Sequence, residues 1–210
     1  FVADDLPEVE KVVAQPVPAV RRQRAQKTLP DQVLTISDGT PDPRIMPRQE
    51  LARAFRTALN TSFLISGNTY ENPRGTEELR SALAEQFLNA RGLSVSPADL
   101  MITHGSQMGL FLAASAILQP GEGIAVEDPG YPHAWSALRA SGARMTGIPV
   151  DKEGLDVDCL MEKVRQDPSI RAVYVTPHHQ YPTTVTLGAA RRLRLLEIAR
   201  THDLLIIEDD

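Results

Sequence analysis

From about residue 100 onward, short apolar runs alternate with stretches of helical spacing, and this alternation constrains the fold more than any other feature. The runs at 100–103, 123–127, 144–149, 171–176 and 204–208 have strand length, and helical stretches at 107–118, 132–141, 157–166 and 189–201 separate them. Buried-type strands alternating with helices predict an α/β domain with a mainly parallel sheet covered by helices. Ligands of such sheets sit beyond the carboxyl ends of the strands. The residues able to carry chemistry fall just past those ends: Gly105-Ser106-Gln107, Asp128 to Tyr131, Thr176 to Thr183, and Glu208 to Asp210.

The chain upstream is of a different kind. Residues 1–15 are acidic without a sustained period, Pro16 and Pro18 interrupt the chain, and Arg21, Arg22, Arg24 and Lys27 form a short basic cluster. This reads as a linker, with the cluster as a solvated face in preference to a phosphate contact. Leu51, Ala54, Phe55, Ala58 and Leu59 then fall at helical spacing behind Pro47, which suits a first turn. Residues 67–75 are a loop by composition. Thr76 is placed to cap a helix with Glu77 and Glu78 in its first turn. Its apolar face would be Leu79, Ala82, Leu83, Phe87 and Ala90, and Gly92 would end it.

Composition excludes several classes. Of the 210 residues 42% are hydrophobic and 23% charged, which is globular, and no apolar run approaches the ~20 residues of a membrane span. Cys159 is the only cysteine, so no intrachain disulfide forms, and the composition suits the cytoplasm. The five histidines lack metal-ligand spacing. With a net charge of −5, this part of the chain is not expected to hold nucleic acid by itself.

Four stretches converge on one kind of ligand. The start of the helix after Gly105 offers unpaired backbone N–H groups and the positive end of a helix dipole, and Ser106 can cap the helix or donate to a phosphate. Pro129 and Gly130 turn the chain and present Tyr131, a flat ring that either stacks on a planar ligand or packs on the next helix. Thr176-Pro-His-His-Gln-Tyr-Pro-Thr183 is dense in hydrogen-bonding side chains, and Tyr181-Pro182 is a candidate cis bond. Glu208, Asp209 and Asp210 repel one another unless a cation answers them. A helix start for a phosphate, an aromatic plate, a polar loop and a carboxylate suit a planar, phosphorylated, cationic heterocycle. Pyridoxal 5′-phosphate answers that description, a carboxylate keeping its ring nitrogen protonated. A nucleotide-binding domain fits less well, because neither Gly-x-Gly-x-x-Gly nor a phosphate-loop lysine occurs.

From about residue 35 to 210 the chain resembles the amino-terminal two thirds of a fold-type I aminotransferase domain, and more narrowly the MocR/GabR branch of the GntR transcriptional regulators. The motifs are Asn68-Thr-Tyr-Glu-Asn-Pro-Arg-Gly75, Ile102-Thr-His-Gly-Ser-Gln107, Val126-Glu-Asp-Pro-Gly-Tyr-Pro132, Thr176-Pro-His-His-Gln-Tyr-Pro-Thr183 and Ile206-Ile-Glu-Asp-Asp210. The His-Gln-aromatic-Pro-Thr form resembles the regulators, where free-standing aminotransferases usually carry Asn-Pro-Thr-Gly. The resemblance implies that Gly105, Ser106 and Gln107 hold the cofactor phosphate, Tyr131 stacks on the ring and Asp209 pairs with the pyridine nitrogen. It also implies that Tyr70 reaches the phosphate from the partner subunit of a homodimer. Tyr181 stands where related enzymes place an asparagine near the ring hydroxyl, a contact that falls to Gln180 or Tyr181. Thr184 stands where a glycine is usual.

The same resemblance implies a division of the chain. Residues 1–34 would be a linker after a winged helix-turn-helix domain, whose closing wing Phe1-Val2-Ala3 resembles. Residues 35–99 would be the first segment of the aminotransferase-like domain, and 100–210 the first part of an incomplete large domain. The Schiff-base lysine of the family lies beyond the Asp-Asp motif. None of Lys11, Lys27, Lys152 and Lys163 has a comparable place, so this chain alone is expected to be inactive. The implied protein is a regulator that binds DNA through another domain and responds to an amino-acid or amine-like effector. An aminotransferase acting on an amino acid and a 2-oxo acid is the alternative.

Overall fold

The computed structural model describes residues 42–60 and 72–210. The chain falls into two compact units, Phe1–Ser66 and Gly67–Asp210. In the first, Asp42 caps a short turn and helix α1 spans Arg48–Leu59 with Pro47 immediately before it, as its spacing predicts. The expected linker with its basic cluster, and Tyr70, lie outside the described residues.

The second unit is built on a five-stranded sheet. Strands β1 (Gly123–Asp128), β2 (Arg144–Asp151), β3 (Gly154–Leu155), β4 (Ile170–Val175) and β5 (Leu205–Glu208) lie in the order β3-β2-β1-β4-β5. Pairs β1–β2, β1–β4 and β4–β5 are parallel, with Tyr174 opposite Ile207 and Val175 opposite Glu208 in the last. Between the strands run α3 (Ser106–Ile117), α4 (Pro132–Ala140), α5 (Val157–Gln166) and α6 (Ala189–His202), close to the expected bounds. The chain moves outward from β1 to β2 and β3, then returns to place β4 on the other side of β1. The gap between the carboxyl ends of β1 and β4 is therefore a topological switch point, the usual ligand crevice of such sheets.

Period-two alternation along the strands builds two core layers. Ile124 and Val126 of β1 with Ala172 and Tyr174 of β4 pack against Leu110 and Ala114 of α3 and Ala134, Ala137 and Leu138 of α4. On the other face Ala125, Val173 and Val175 pack against Leu160 and Val164 of α5 and Leu195 and Ile198 of α6. Burial on both faces is why these strands read as continuous apolar runs.

Three details differ from the sequence reading. Residues 100–103 form no strand: Ile102 N–H donates to the Arg74 carbonyl at 2.9 Å, and no ladder develops around that single bond. An unforeseen strand, β3, pairs antiparallel with β2 across the tight turn Asp151-Lys152-Glu153-Gly154, so the sheet is mixed. Asp151 accepts from Glu153 N–H at 2.8 Å and Gly154 takes φ +95°, the chemistry of a short hairpin turn. Finally, the helix capped by Thr76, α2 (Glu77–Ala82), widens into a π-helical stretch at Leu83–Leu88. It then closes at Gly92 with paired bonds from Gly92 N–H to Asn89 O and Leu93 N–H to Leu88 O. Among the residues whose burial is described, Arg80 and Ala84 are the buried ones, and Leu79 is exposed. Arg80 faces inward because its guanidinium binds the carbonyls of Gly75 and Pro97.

Candidate functional site

A cavity of about 200 Å³ opens at the carboxyl ends of β1, β4 and β5, lined by Tyr131, Thr176, His179, Tyr181, Asp209 and Asp210. Tyr131, Tyr181 and Asp209, singled out from the sequence, are thus brought together with Thr176. The Tyr131 ring meets Tyr181 edge-on at 5.3 Å between centroids, and His133 in the same manner at 5.4 Å. Tyr131 also directly precedes α4, and its ring packs against the core layer formed by Ala134 and Leu138. The two alternatives for this residue, ring against the next helix and ring at the cavity, are therefore compatible.

Two loops carry these rings, and one buried side chain ties them. Gln180, only 1% exposed, donates through Nε2 to the carbonyls of Pro129 at 2.8 Å and Tyr181 at 2.6 Å. Its Oε1 accepts from the Thr183 N–H at 3.2 Å and from the Thr183 hydroxyl. The turn bearing Tyr131 and the loop bearing Tyr181 are therefore fixed to each other. Below them Glu127, also 1% exposed, accepts at Oε2 from the Thr176 hydroxyl at 2.5 Å, the Thr176 N–H at 3.2 Å and Gln180 Nε2 at 3.4 Å. Burial pushes the Glu127 carboxyl above its ordinary pKa, partly offset by these donors. Both Tyr181-Pro182 and Asp128-Pro129 are cis, the second unforeseen. Thr184 takes φ +62°, the left-handed region that favours glycine, which is the residue usual there in the resembled family.

The three carboxylates at the end of β5 have separate answers. Asp210 pairs with Arg91 at 3.0 Å and with His178 Nδ1 at 2.9 Å, and Glu208 lies 3.9 Å from His178. Asp209 accepts at Oδ2 from the buried Tyr174 hydroxyl at 2.7 Å, and its N–H donates to the Val175 carbonyl at 3.0 Å. Tyr174, Glu127 and Arg91 were not foreseen. A phenol in the run Ile-Arg-Ala-Val-Tyr-Val was the available signal, since a buried hydroxyl needs a partner.

Gly105, Ser106 and Gln107 sit at the start of α3 and are not among the lining residues of the cavity. Gly105 occupies the cap position with φ +86°, and Ser106 is the first helical residue, so it does not cap the helix. The N–H groups of Ser106 and Gln107 have no partner within the helix. Leu110, one turn further on, joins the core layer against which Tyr131 packs.

This fold and this crevice define a class, and comparison supports it. Residues 45–210 match the family model for Aminotransferase class I and II, and the chain belongs to that family. It is 33% identical over 182 residues to Aromatic-amino-acid aminotransferase 1 of Thermococcus litoralis, covering 85% of this chain and 43% of that protein. It is 39% identical over 128 residues to the HTH-type transcriptional regulator TauR of Rhodobacter capsulatus, covering 61% of this chain and 25% of the regulator. Among solved structures it is similar to LysN, an α-aminoadipate aminotransferase of Thermus thermophilus complexed with N-(5′-phosphopyridoxyl)-L-leucine. That match has a TM-score of 0.70 and 31% identity, covering 82% of this chain and 42% of that one. The chain thus spans less than half the length of these proteins.

The family implies pyridoxal 5′-phosphate, and the residues present fit it. The cavity has an aromatic ring on its wall and a carboxylate held by a neutral donor rather than by a cation. The start of α3, whose first N–H groups have no partner within the helix, lies one turn ahead of Leu110 in the core layer against which Tyr131 packs.

Proposed function

We propose that this chain is part of the effector and dimerisation domain of a pyridoxal-phosphate-dependent transcriptional regulator of the MocR/GabR type. Residues 1–34 would join it to a winged helix-turn-helix domain, and the whole would act in the cytoplasm as a homodimer. The observation that carries the reading is the loop after β4. The Gln180 amide is taken up by Pro129, Tyr181 and Thr183, and Tyr181 is the residue set at the cavity, where the Asn-Pro-Thr-Gly form of free-standing aminotransferases would set an asparagine. Relatives of both kinds are consistent with this descent.

In this reading the N–H groups at Ser106 and Gln107, with the Ser106 hydroxyl and the close approach allowed by Gly105, bind the phosphate. Tyr131 would cover one face of the ring, and Asp209 would keep a proton on the ring nitrogen. Tyr70 would act across the dimer. Bound in this way, the cofactor supplies an electron sink for bonds at the α-carbon of an amino acid or amine. Gln180 and Glu127 hold the two tyrosine loops in register through their bonds to Pro129, Tyr181, Thr183 and Thr176.

The test uses the full-length protein. Fluorescence anisotropy with labelled duplexes from the region upstream of its own gene should show sequence-specific, salt-dependent binding, altered by an amino-acid or amine effector. Sustained transamination between an amino acid and a 2-oxo acid, with no specific DNA complex, would make the chain part of an aminotransferase instead.

A further inference from the structure

Tyr174 is fully buried in β4, and the other buried residues of its layer, among them Leu110, Ala114, Ile124 and Val126, are aliphatic. Its hydroxyl crosses to the next strand's end and donates to Asp209 Oδ2 at 2.7 Å, a bond between residues 35 positions apart. Asp209 is held a second time by its own N–H on the Val175 carbonyl. The neighbouring acid is treated differently: Asp210 is answered by Arg91 and His178, whereas no ion pair reaches Asp209 among the described residues.

The difference matters chemically. A cationic partner would neutralise the carboxylate and compete with any cation entering the cavity. A phenol orients the carboxylate and leaves its charge available. Burial, then the bond to Asp209 and its charge, push the Tyr174 hydroxyl far above its ordinary pKa, which favours the neutral, donating form.

We infer that Tyr174 is a positioning residue for Asp209, fixing the carboxylate toward the cavity it lines and strengthening its hold on a protonated ring nitrogen. The inference rests on the reading of Asp209 as the partner of that nitrogen, and its test separates the two. In the full-length protein, Tyr174→Phe and Asp209→Asn are compared by calorimetric titration with pyridoxamine 5′-phosphate, which cannot bond covalently to a lysine. The same titration is run with an analogue carrying C–H in place of the ring nitrogen. Tyr174→Phe should weaken the first ligand about tenfold, the worth of one hydrogen bond to a charged group, and the second by less than about twofold. The ring-nitrogen ¹⁵N shift of the bound ligand should move toward the neutral pyridine.

If Asp209→Asn leaves both affinities unchanged, the reading of Asp209 fails and the inference with it. If Asp209→Asn weakens the nitrogen-containing ligand and Tyr174→Phe does not, Tyr174 only fills the core and the inference is overturned. Equal loss for both ligands in Tyr174→Phe overturns it too, as general damage to packing. Should Tyr174→Phe not fold, fluorotyrosine at position 174 keeps the shape and alters the donor. An unmoved ¹⁵N shift would then be contrary to the inference.

Discussion

The Gln180 side chain donates to the Pro129 carbonyl at 2.8 Å, joining the loop after β4 to the turn after β1 across the switch point of the sheet. Because the same amide also serves Tyr181 and Thr183, Gln180→Ala leaves several buried groups unpaired at once. Each such group costs about 1–3 kcal/mol, so a total loss of roughly 3 kcal/mol is expected. Urea unfolding of the full-length protein measures it, and a loss below about 0.5 kcal/mol would show that the two loops are held by other means.

Thr184 at φ +62° gives a prediction of the opposite sign. A β-branched residue in the left-handed region costs on the order of 1–2 kcal/mol, and glycine relieves that strain, although it also gains freedom in the unfolded chain. Thr184→Gly should therefore stabilise the protein by up to about 1 kcal/mol, read as a rise in the urea midpoint. A fall would mean that the Thr184 side chain contributes more than its backbone strain.

The buried Glu127 makes stability depend on pH. Its folded pKa is raised by burial, so the folded state binds the proton more tightly than the unfolded chain does. Its contribution is therefore full below the unfolded value, near pH ~4, and declines as pH rises through the folded value. Glu127→Gln keeps an acceptor for Thr176 and Gln180 but cannot ionise. Relative to this variant, the natural protein should be at its best near pH ~4 and lose ground toward pH ~7. Unfolding of both at matched pH values checks this, and a difference independent of pH would contradict it.

The layered α/β architecture was legible because strands buried on both faces and helices with one apolar face leave different periods in the sequence. The cavity wall was legible for the same reason: Tyr131, Thr176 and Asp209 follow strand ends, and strand ends of a parallel sheet share an edge. What the sequence left hidden depends on partners far along the chain. Residues 100–103 have strand composition but no ladder, and Arg80 is buried only because the Gly75 and Pro97 carbonyls accept from it. Tyr174 and Asp209 meet because the register of β4 and β5 brings them together, and no local pattern states a register.

Tyr131 should matter to the ring and not to the phosphate. An aromatic stack is worth about 0.5–1.5 kcal/mol, so Tyr131→Leu is expected to weaken pyridoxamine 5′-phosphate about threefold to tenfold in the full-length protein. Inorganic phosphate, titrated as a competitor, should bind both forms alike. Equal weakening of both would indicate that Tyr131 supports the fold of the site rather than the ring.

Whether the crevice at β1, β4 and β5 holds the cofactor of a regulator is tested most directly by a crystal structure of the full-length protein with pyridoxal 5′-phosphate. The ring is expected against Tyr131, with its nitrogen within hydrogen-bond distance of Asp209 and the phosphate on the N–H groups of Ser106 and Gln107. A winged helix-turn-helix domain is expected ahead of residue 1. A ring nitrogen directed at Asp210, or a phosphate bound away from the start of α3, would contradict the assignment.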